Sequence, residues 1–201
     1  MLLEDGAGSG RKLKIDSHNR AFCFADTRGL ISHVSMTEQE SYAIGTPRYT
    51  IPTDDEYKIL WVKNAKSGFA FVISKIISFW NGGTIAGDVA MDFVINLNAY
   101  VDDGVPSANH IEIDAQNLNL GSGNIAEMTT YVWNGATGTG MTVEAGSNFA
   151  FMSLHKGMST LDLDDSLVVP FNKVLSLSVQ PERPGNFAVI VSGFFINLDI
   201  V

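Results

Sequence analysis

Two runs near the C-terminal end leave little freedom to the rest of the chain. Leu175, Leu177 and Val179 alternate with Ser176, Ser178 and Gln180, the period-2 pattern of a strand with one buried face. Beyond a Pro-Glu-Arg-Pro-Gly turn at 181–185, residues 186–196 are almost continuously apolar, as in a strand covered on both faces near the middle of a sheet. Ser192-Gly193 interrupts this run, where a bulge or a close approach of another backbone is expected. The pair reads as a hairpin. Two strands cannot bury such faces by themselves, so the preceding chain must supply a partner sheet.

Upstream, residues 57–63 predict a core strand, 64–68 (Asn-Ala-Lys-Ser-Gly) a turn, and 69–80 a long second strand closed by Asn81-Gly82-Gly83. A short turn between apolar runs predicts an antiparallel hairpin. Val72, Ile73, Ile76 and Ile77, with Phe69, Phe71 and Phe79, favour strand over buried helix. Residues 89–97 alternate through Met91, Phe93, Ile95 and Leu97, and 98–109 reads as a polar loop containing Asp102 and Asp103. Ile111 and Ile113, then Leu118 and Leu120 out of phase, predict one strand bulged near Gln116-Asn117. Segments 129–133, 149–155 and 166–169 bring the count to about nine strands, with 134–140 an exposed loop. Helical crossovers between strands are missing from the pattern, which points to antiparallel sheets.

Residues before Pro47 lack sustained alternation. Segment 1–10 is glycine-rich, and 11–20 concentrates Arg11, Lys12, Lys14 and Arg20 in an otherwise acidic chain. Residues 21–25 read as a short strand. Residues 36–43 read as a short helical turn, with Thr37 and Glu40 at capping-box spacing. The expected division is an arm at 1–48 and a compact body at 49–201; by themselves the four basic arm residues read as a solvated segment, with attachment to an acidic neighbour or nucleic acid the alternative.

A net charge of -9 disfavours nucleic-acid binding by the folded body. Cys23 is the one cysteine, so neither an intrachain disulfide framework nor a cysteine-rich zinc site is available. The N-terminus carries no basic segment followed by an apolar core, and no run approaches the ~20 apolar residues of a membrane span; a soluble chain without membrane contact is expected. His18, His33, His110 and His155 are scattered without metal-pair spacing, and there is no Gly-x-Ser-x-Gly elbow or phosphate-binding loop. Asp162, Asp164 and Asp165 form a candidate Ca2+ cluster, although the glycine and remote glutamate of an EF-hand loop are missing; Asp102-Asp103 is a weaker one. Trp61 and Trp80 lie in apolar strands and read as core. Trp133, beside the 134–140 loop, is the best candidate of the three for an exposed ring that stacks on sugars, although core is the favoured reading for it too.

Several ordered phrases resemble a family of tailed-bacteriophage virion structural proteins: Leu3-Glu4-Asp5-Gly6-Ala7-Gly8-Ser9-Gly10, then Lys14-Ile15-Asp16-Ser17-His18-Asn19-Arg20. Segment 35–43, the strand 59–64 ending Val-Lys-Asn, and Gly193-Phe194-Phe195-Ile196 continue the likeness, while 42–46 departs from it. The resemblance implies an all-β, jelly-roll-like antiparallel β-sandwich with an extended N-terminal arm, without enzymatic activity or cofactor. It implies a capsid cement (decoration) protein or a tail or baseplate component, made in the host cytoplasm and located in the virion. Its partners would be the major capsid protein or other virion proteins, and copies of itself, with a trimer favoured. The alternative class is a carbohydrate- or receptor-binding module using loops 99–109 and 134–140 with Trp133. A hydrolase built on a β-sandwich is a weaker third, because no catalytic constellation is visible.

Overall fold

The computed structural model describes residues 3–4, 12–13, 39–52, 55–82, 95–101, 104–136, 139–144, 146–154, 157–181 and 184–198. The chain divides into two units, Met1–Leu30 and Ile31–Val201. In the first, β1 (Leu3–Glu4) and β2 (Lys12–Leu13) pair antiparallel, with Leu3 opposite Leu13 and Glu4 opposite Lys12.

The second unit is a β-sandwich with no α-helix among the described residues. Its chain order is β3 (Ser41–Gly45), β4 (Tyr49–Ile51), β5 (Tyr57–Asn64), β6 (Phe69–Gly82), β7 (Ile95–Val101), β8 (His110–Glu112) and β9 (Gln116–Asn117). It continues with β10 (Met128–Trp133), β11 (Ser147–Leu154), β12 (Gly157–Val169), β13 (Val174–Pro181) and β14 (Gly185–Asn197). One antiparallel sheet has the order β11-β7-β13-β5-β10-β8, the other β12-β6-β14-β3-β9, with β4 also on β14. From β5 to β7 and from β11 to β14, each step along the chain changes sheet, so 11-7-13-5 faces 12-6-14-3. This nested winding is jelly-roll-like.

The alternating side chains explain the core. Leu175, Leu177 and Val179 of β13 and Phe187, Val189 and Val191 of β14 point between the sheets, where they meet Tyr57, Ile59, Leu60, Phe71, Ile73 and Ile76. All of these are buried, and a fully buried side chain of this size contributes about 1.5–3 kcal/mol against exposure.

Strand positions follow the sequence pattern, but strand pairing departs from it. β13 and β14 do not form a hairpin: β13 pairs with β5 and β7, β14 with β3, β4 and β6. Likewise β5 and β6 lie in opposite sheets. The corner between them is held by Asn64, whose buried side-chain amide donates to the carbonyls of Phe69 (2.9 Å) and Val169 (3.0 Å) and accepts from the Lys66 amide (2.9 Å). Those bonds join three strand ends, which a two-strand turn does not require. The single bulged strand expected over 110–120 is instead two short strands, because β8 joins β10 in one sheet and β9 joins β3 in the other. What looked like a change of phase is a change of sheet.

Three boundaries also move. Ser41–Gly45, assigned by its sequence to the arm, is a strand of the second sheet with Tyr42 and Ile44 fully buried. The described part of the expected helical turn is therefore extended. β7 continues through Tyr100 and Val101, into the stretch read as loop. β12 starts at Gly157, nine residues ahead of the expected 166, and carries a register shift between Asp162 and Leu167. Residues 89–94 and 21–25 lie outside the described residues. The anticipated irregularity at Ser192-Gly193 is present, as a register shift between β14 and β6.

Candidate interaction surfaces

The outward faces of the two sheets differ in chemistry. On the first sheet, cross-strand partners form one row: Asn148, Tyr100, Ser176, Trp61, Tyr131 and Glu112. Trp61 and Tyr131 stack with centroids 5.4 Å apart, and His110 meets Tyr131 edge-on at 4.8 Å. Ser176 and Ser178 are fully buried although they point away from the inter-sheet core. The serine half of the β13 alternation therefore lies under an outer layer of aromatic and amide side chains.

The next row centres on Glu56. Its Oε1 accepts from the Tyr100 hydroxyl (2.6 Å), the Asn98 side-chain amide (3.2 Å) and the Ser178 hydroxyl. Lys58 Nζ stands 3.9 Å over the Tyr100 ring, a cation–π contact. Burial by itself would raise the Glu56 carboxyl, but the three donated bonds and the Lys58 charge outweigh it and hold the group below its ordinary value. The Tyr100 hydroxyl moves up, through burial and then through its bond to the carboxylate. Beside this network lies an open groove of ≈ 470 Å³, lined by Asp55, Glu56, Lys58 and the backbone run from Thr139 to Val143. Gly140 is required there, because a Cβ would sit 2.5 Å from the Lys58 amide nitrogen. A separate apolar cavity of ≈ 290 Å³ is lined by Val101, Leu167, Val169, Pro170 and Val174, with Lys173.

The outward face of the second sheet is apolar. Met158, Phe79 and Ala188 form one cross-strand row, and Thr160, Ile77, Ile190 and Gly45 the next. Met158 is 75% exposed, Ile190 44% and Phe79 39%. A row of Asp162, Lys75, Ser192 and Ala43 follows, then Val168, Val72, Phe194 and Ser41. Val72 and Phe194, with Ile196, make a small cluster distinct from the main core. The Arg48 guanidinium lies 5.6 Å from the Phe79 ring centre.

The residues singled out in the sequence do not converge on one site. Lys12 lies in β2, while Arg11, Lys14, Arg20, His18, His33, His155, Cys23, Asp102 and Asp103 lie outside the described residues. Asp162 is exposed on β12, and of Asp164 and Asp165 only the strand backbone is described. Among the described residues no three His, Cys, Asp or Glu side chains are grouped to hold a metal ion. Trp133 is core, the favoured of its two readings, and not a sugar platform. It is 1% exposed and packs against Tyr49 and Tyr57 at 4.9 and 5.4 Å, so no ring face is open to a ligand. Trp61 and Trp80 are buried as expected.

Glu56, Lys58 and Tyr100 were missed by sequence reasoning. Glu56 lies one residue ahead of β5, and its partners come from β7 and β13, so only the register of three strands brings them together. The apolar rows on the second sheet had a visible signal in the nearly continuous hydrophobicity of 69–80 and 186–196, which exceeds what one buried face needs. A scan against protein-family models matches no family, and a search of curated proteins finds no match.

Proposed function

We propose that this protein is a non-enzymatic structural component of a tailed-bacteriophage virion: a capsid cement protein that works as a homo-oligomer, with a trimer the preferred state. The likeness at 3–10, 14–20, 35–43 and 193–196 motivates the virion assignment. The observation that carries the structural role is the division of the chain at Leu30/Ile31 into a small unit with a locally basic stretch at 11–20 and a sandwich. Arg11, Lys12, Lys14 and Arg20 all belong to the smaller unit. In this reading it grips the major capsid protein by charge pairing and strand addition, while the sandwich contacts its own copies.

Exposed charges individually contribute on the order of 0–1 kcal/mol, so single substitutions of the four should be mild. Deleting residues 1–20 should lower the occupancy of the protein in purified particles while the sandwich stays folded. Normal occupancy after the deletion, together with loss in an Asp102→Asn/Asp103→Asn variant, would move attachment into the sandwich. A tail or baseplate position is the other placement within this reading, and imaging labelled particles separates the two.

A second reading, a carbohydrate- or receptor-binding module, has the groove beside Glu56 behind it in place of Trp133. Glycan binding that disappears in Glu56→Ala would favour that reading.

A further inference from the structure

We infer that Leu120, at the tip of the loop between β9 and β10, enters the ≈ 290 Å³ apolar cavity of a second copy of this chain, and that the contact repeats head to tail into a closed ring. The inference rests on the homo-oligomeric part of the proposed function and names its contact; it does not depend on the virion.

The loop is built to hold its apolar side chains in solvent. Leu120 is 96% exposed and Ile125 81%, and Leu118 is exposed as well. Between them lie Asn, Ser and Gly residues, whose side chains fix the loop from within. Asn117 closes the base, donating from its side chain to the Asn124 carbonyl (3.2 Å) and accepting from the Asn119 amide (2.8 Å). The Asn119 side chain accepts from the Gly121 amide (3.1 Å), and the Ser122 hydroxyl oxygen from the Asn124 amide (3.0 Å). The Leu118 amide anchors the loop on the Ser41 carbonyl of β3 (2.8 Å). Asparagine and serine turns of this kind set the backbone in advance, so little ordering cost remains when the tip is buried. Burying Leu120 then returns about 1.5–3 kcal/mol.

The same chain carries the matching cavity. Its wall is mainly aliphatic, from Val101, Leu167, Val169 and Val174 with Pro170, and Lys173 stands in it. About 150 Å³ of apolar cavity already admits a six-membered ring, so this one has room for a leucyl side chain. Val168, also in the wall, and Phe171, in the turn beside it, are partly exposed and offer apolar cover to Leu118 and Ile125. Charge agrees. Lys173 at the cavity and Glu127, two residues past Ile125, are both exposed, so a copy that seats its Leu120 brings a carboxylate toward an ammonium. In a chain carrying -9, this contact sets acid against base where most others would set acid against acid.

Position favours closure. The stem of the loop and the wall of the cavity are both fastened to the end of β5. There the Ala65 amide donates to the Glu127 carbonyl (3.0 Å) and the Asn64 amide to the Lys173 carbonyl (3.2 Å). Tip and cavity therefore share one end of the sandwich. In the order β11-β7-β13-β5-β10-β8 the cavity lies at β7 and β13 while the loop leads into β10, so β5 stands between them. One neighbour cannot engage both, and each copy must touch two. A head-to-tail contact made at one level along the strands turns into a ring, whereas a displaced one would climb into a filament. Three copies are the expected number.

The test is sedimentation of the full chain at micromolar concentration beside three variants. Leu120→Asp removes the apolar tip, Val168→Glu puts a carboxylate into the cavity wall, and Met158→Glu places one at the far end of β12. Each replaced side chain is at least 44% exposed, so folding should survive; a β-type circular dichroism spectrum checks it. The full chain and Met158→Glu should sediment as the same closed ring. Leu120→Asp and Val168→Glu should each raise its dissociation constant on the order of 30-fold or more. Mixed one to one, these two should form a dimer and stop there, because the first keeps its cavity and the second its Leu120. A monomeric or dimeric full chain, a ring that either of the two leaves intact, or a mixture that stays monomeric would overturn the inference. Monomeric protein found in particles would remove this contact and spare the virion reading; a ring absent from particles would do the reverse.

Discussion

The hydroxyl of Tyr49 donates a 2.6 Å hydrogen bond to the main-chain carbonyl of Trp133, joining residues 84 positions apart inside the sandwich. The Tyr49 and Trp133 rings lie 4.9 Å apart, and both are almost wholly buried. The contact ties β4, in one sheet, to the end of β10, in the other.

Tyr49→Phe should destabilise the sandwich by about 1–2 kcal/mol, because a buried acceptor loses its donor while the ring packing stays. The midpoint of urea unfolding should fall with its slope unchanged. Burial also raises the Tyr49 hydroxyl well above its ordinary value of 10.0. Its folded state therefore keeps the proton that the unfolded chain gives up, so this contribution is complete below pH ~10 and declines above it. The fall in stability above pH 10 should be shallower in Tyr49→Phe than in the parent. Equal slopes would mean that the hydroxyl ionises as readily in the fold as outside it.

Glu56 gives the opposite sign. Its carboxyl is held below the ordinary 4.5 by its donors and by Lys58, against a raising effect of burial. Stability from this group is present above the unfolded value and drains away as pH falls through the folded one. Glu56→Gln should flatten the loss of stability between about pH 5 and 3, measured by thermal melts across that window. A parent and variant that lose stability in parallel would dismiss Glu56 as the source.

Gly193→Ala should be among the most damaging single changes. A Cβ there would run into the Val72 carbonyl oxygen and come within 2.9 Å of the Phe71 ring, both on the neighbouring strand. Overpacking of this kind costs about 1–3 kcal/mol or more. Chemical denaturation of the variant checks the figure, and a change under 0.5 kcal/mol would show that the bulge yields.

A chain starting at Ile31 should fold cooperatively, whereas one starting at Tyr49 should not reach the same stability. The shorter chain lacks β3, and with it Tyr42 and Ile44, both 0% exposed. Their loss amounts to about 3–6 kcal/mol of burial, a large part of a typical 5–15 kcal/mol domain stability. Matched melting curves for the two chains would refute the assignment of β3 to the sandwich core.

These elements also mark how far a sequence can be read. Alternation placed β5, β6, β10, β13 and β14 within a residue or two, because side-chain direction is a local property of a strand. Partners are not local. A proline–glycine turn serves a hairpin and a corner between sheets equally well, so the 181–185 and 64–68 turns gave no sign that each led across the sandwich. β3 was overlooked because its buried side chains, Tyr42 and Ile44, are too few to establish a period. Trp133 could be read two ways, as core from its strand and as exposed from the polar loop after it, and the ring turns inward toward Tyr49 and Tyr57. The Glu56 network is illegible for the same reason as the pairing, since Asn98, Tyr100 and Ser178 meet the carboxylate only once the register of β7, β13 and β5 is fixed.

The places of β13 and β14 bear on how the protein is made. They leave the ribosome after every other strand described, yet each sits inside its sheet: β13 separates β7 from β5, and β14 separates β6 from β3. Until they arrive, each layer is two unconnected halves, and the halves have no hydrogen-bonding neighbour for their inner margins. Neither layer can become one continuous sheet before β13 and β14 enter, so the two strands close both layers together. A fragment that stops ahead of β13 leaves the inner margins of both layers as open strand edges, the kind that invite pairing with foreign strands.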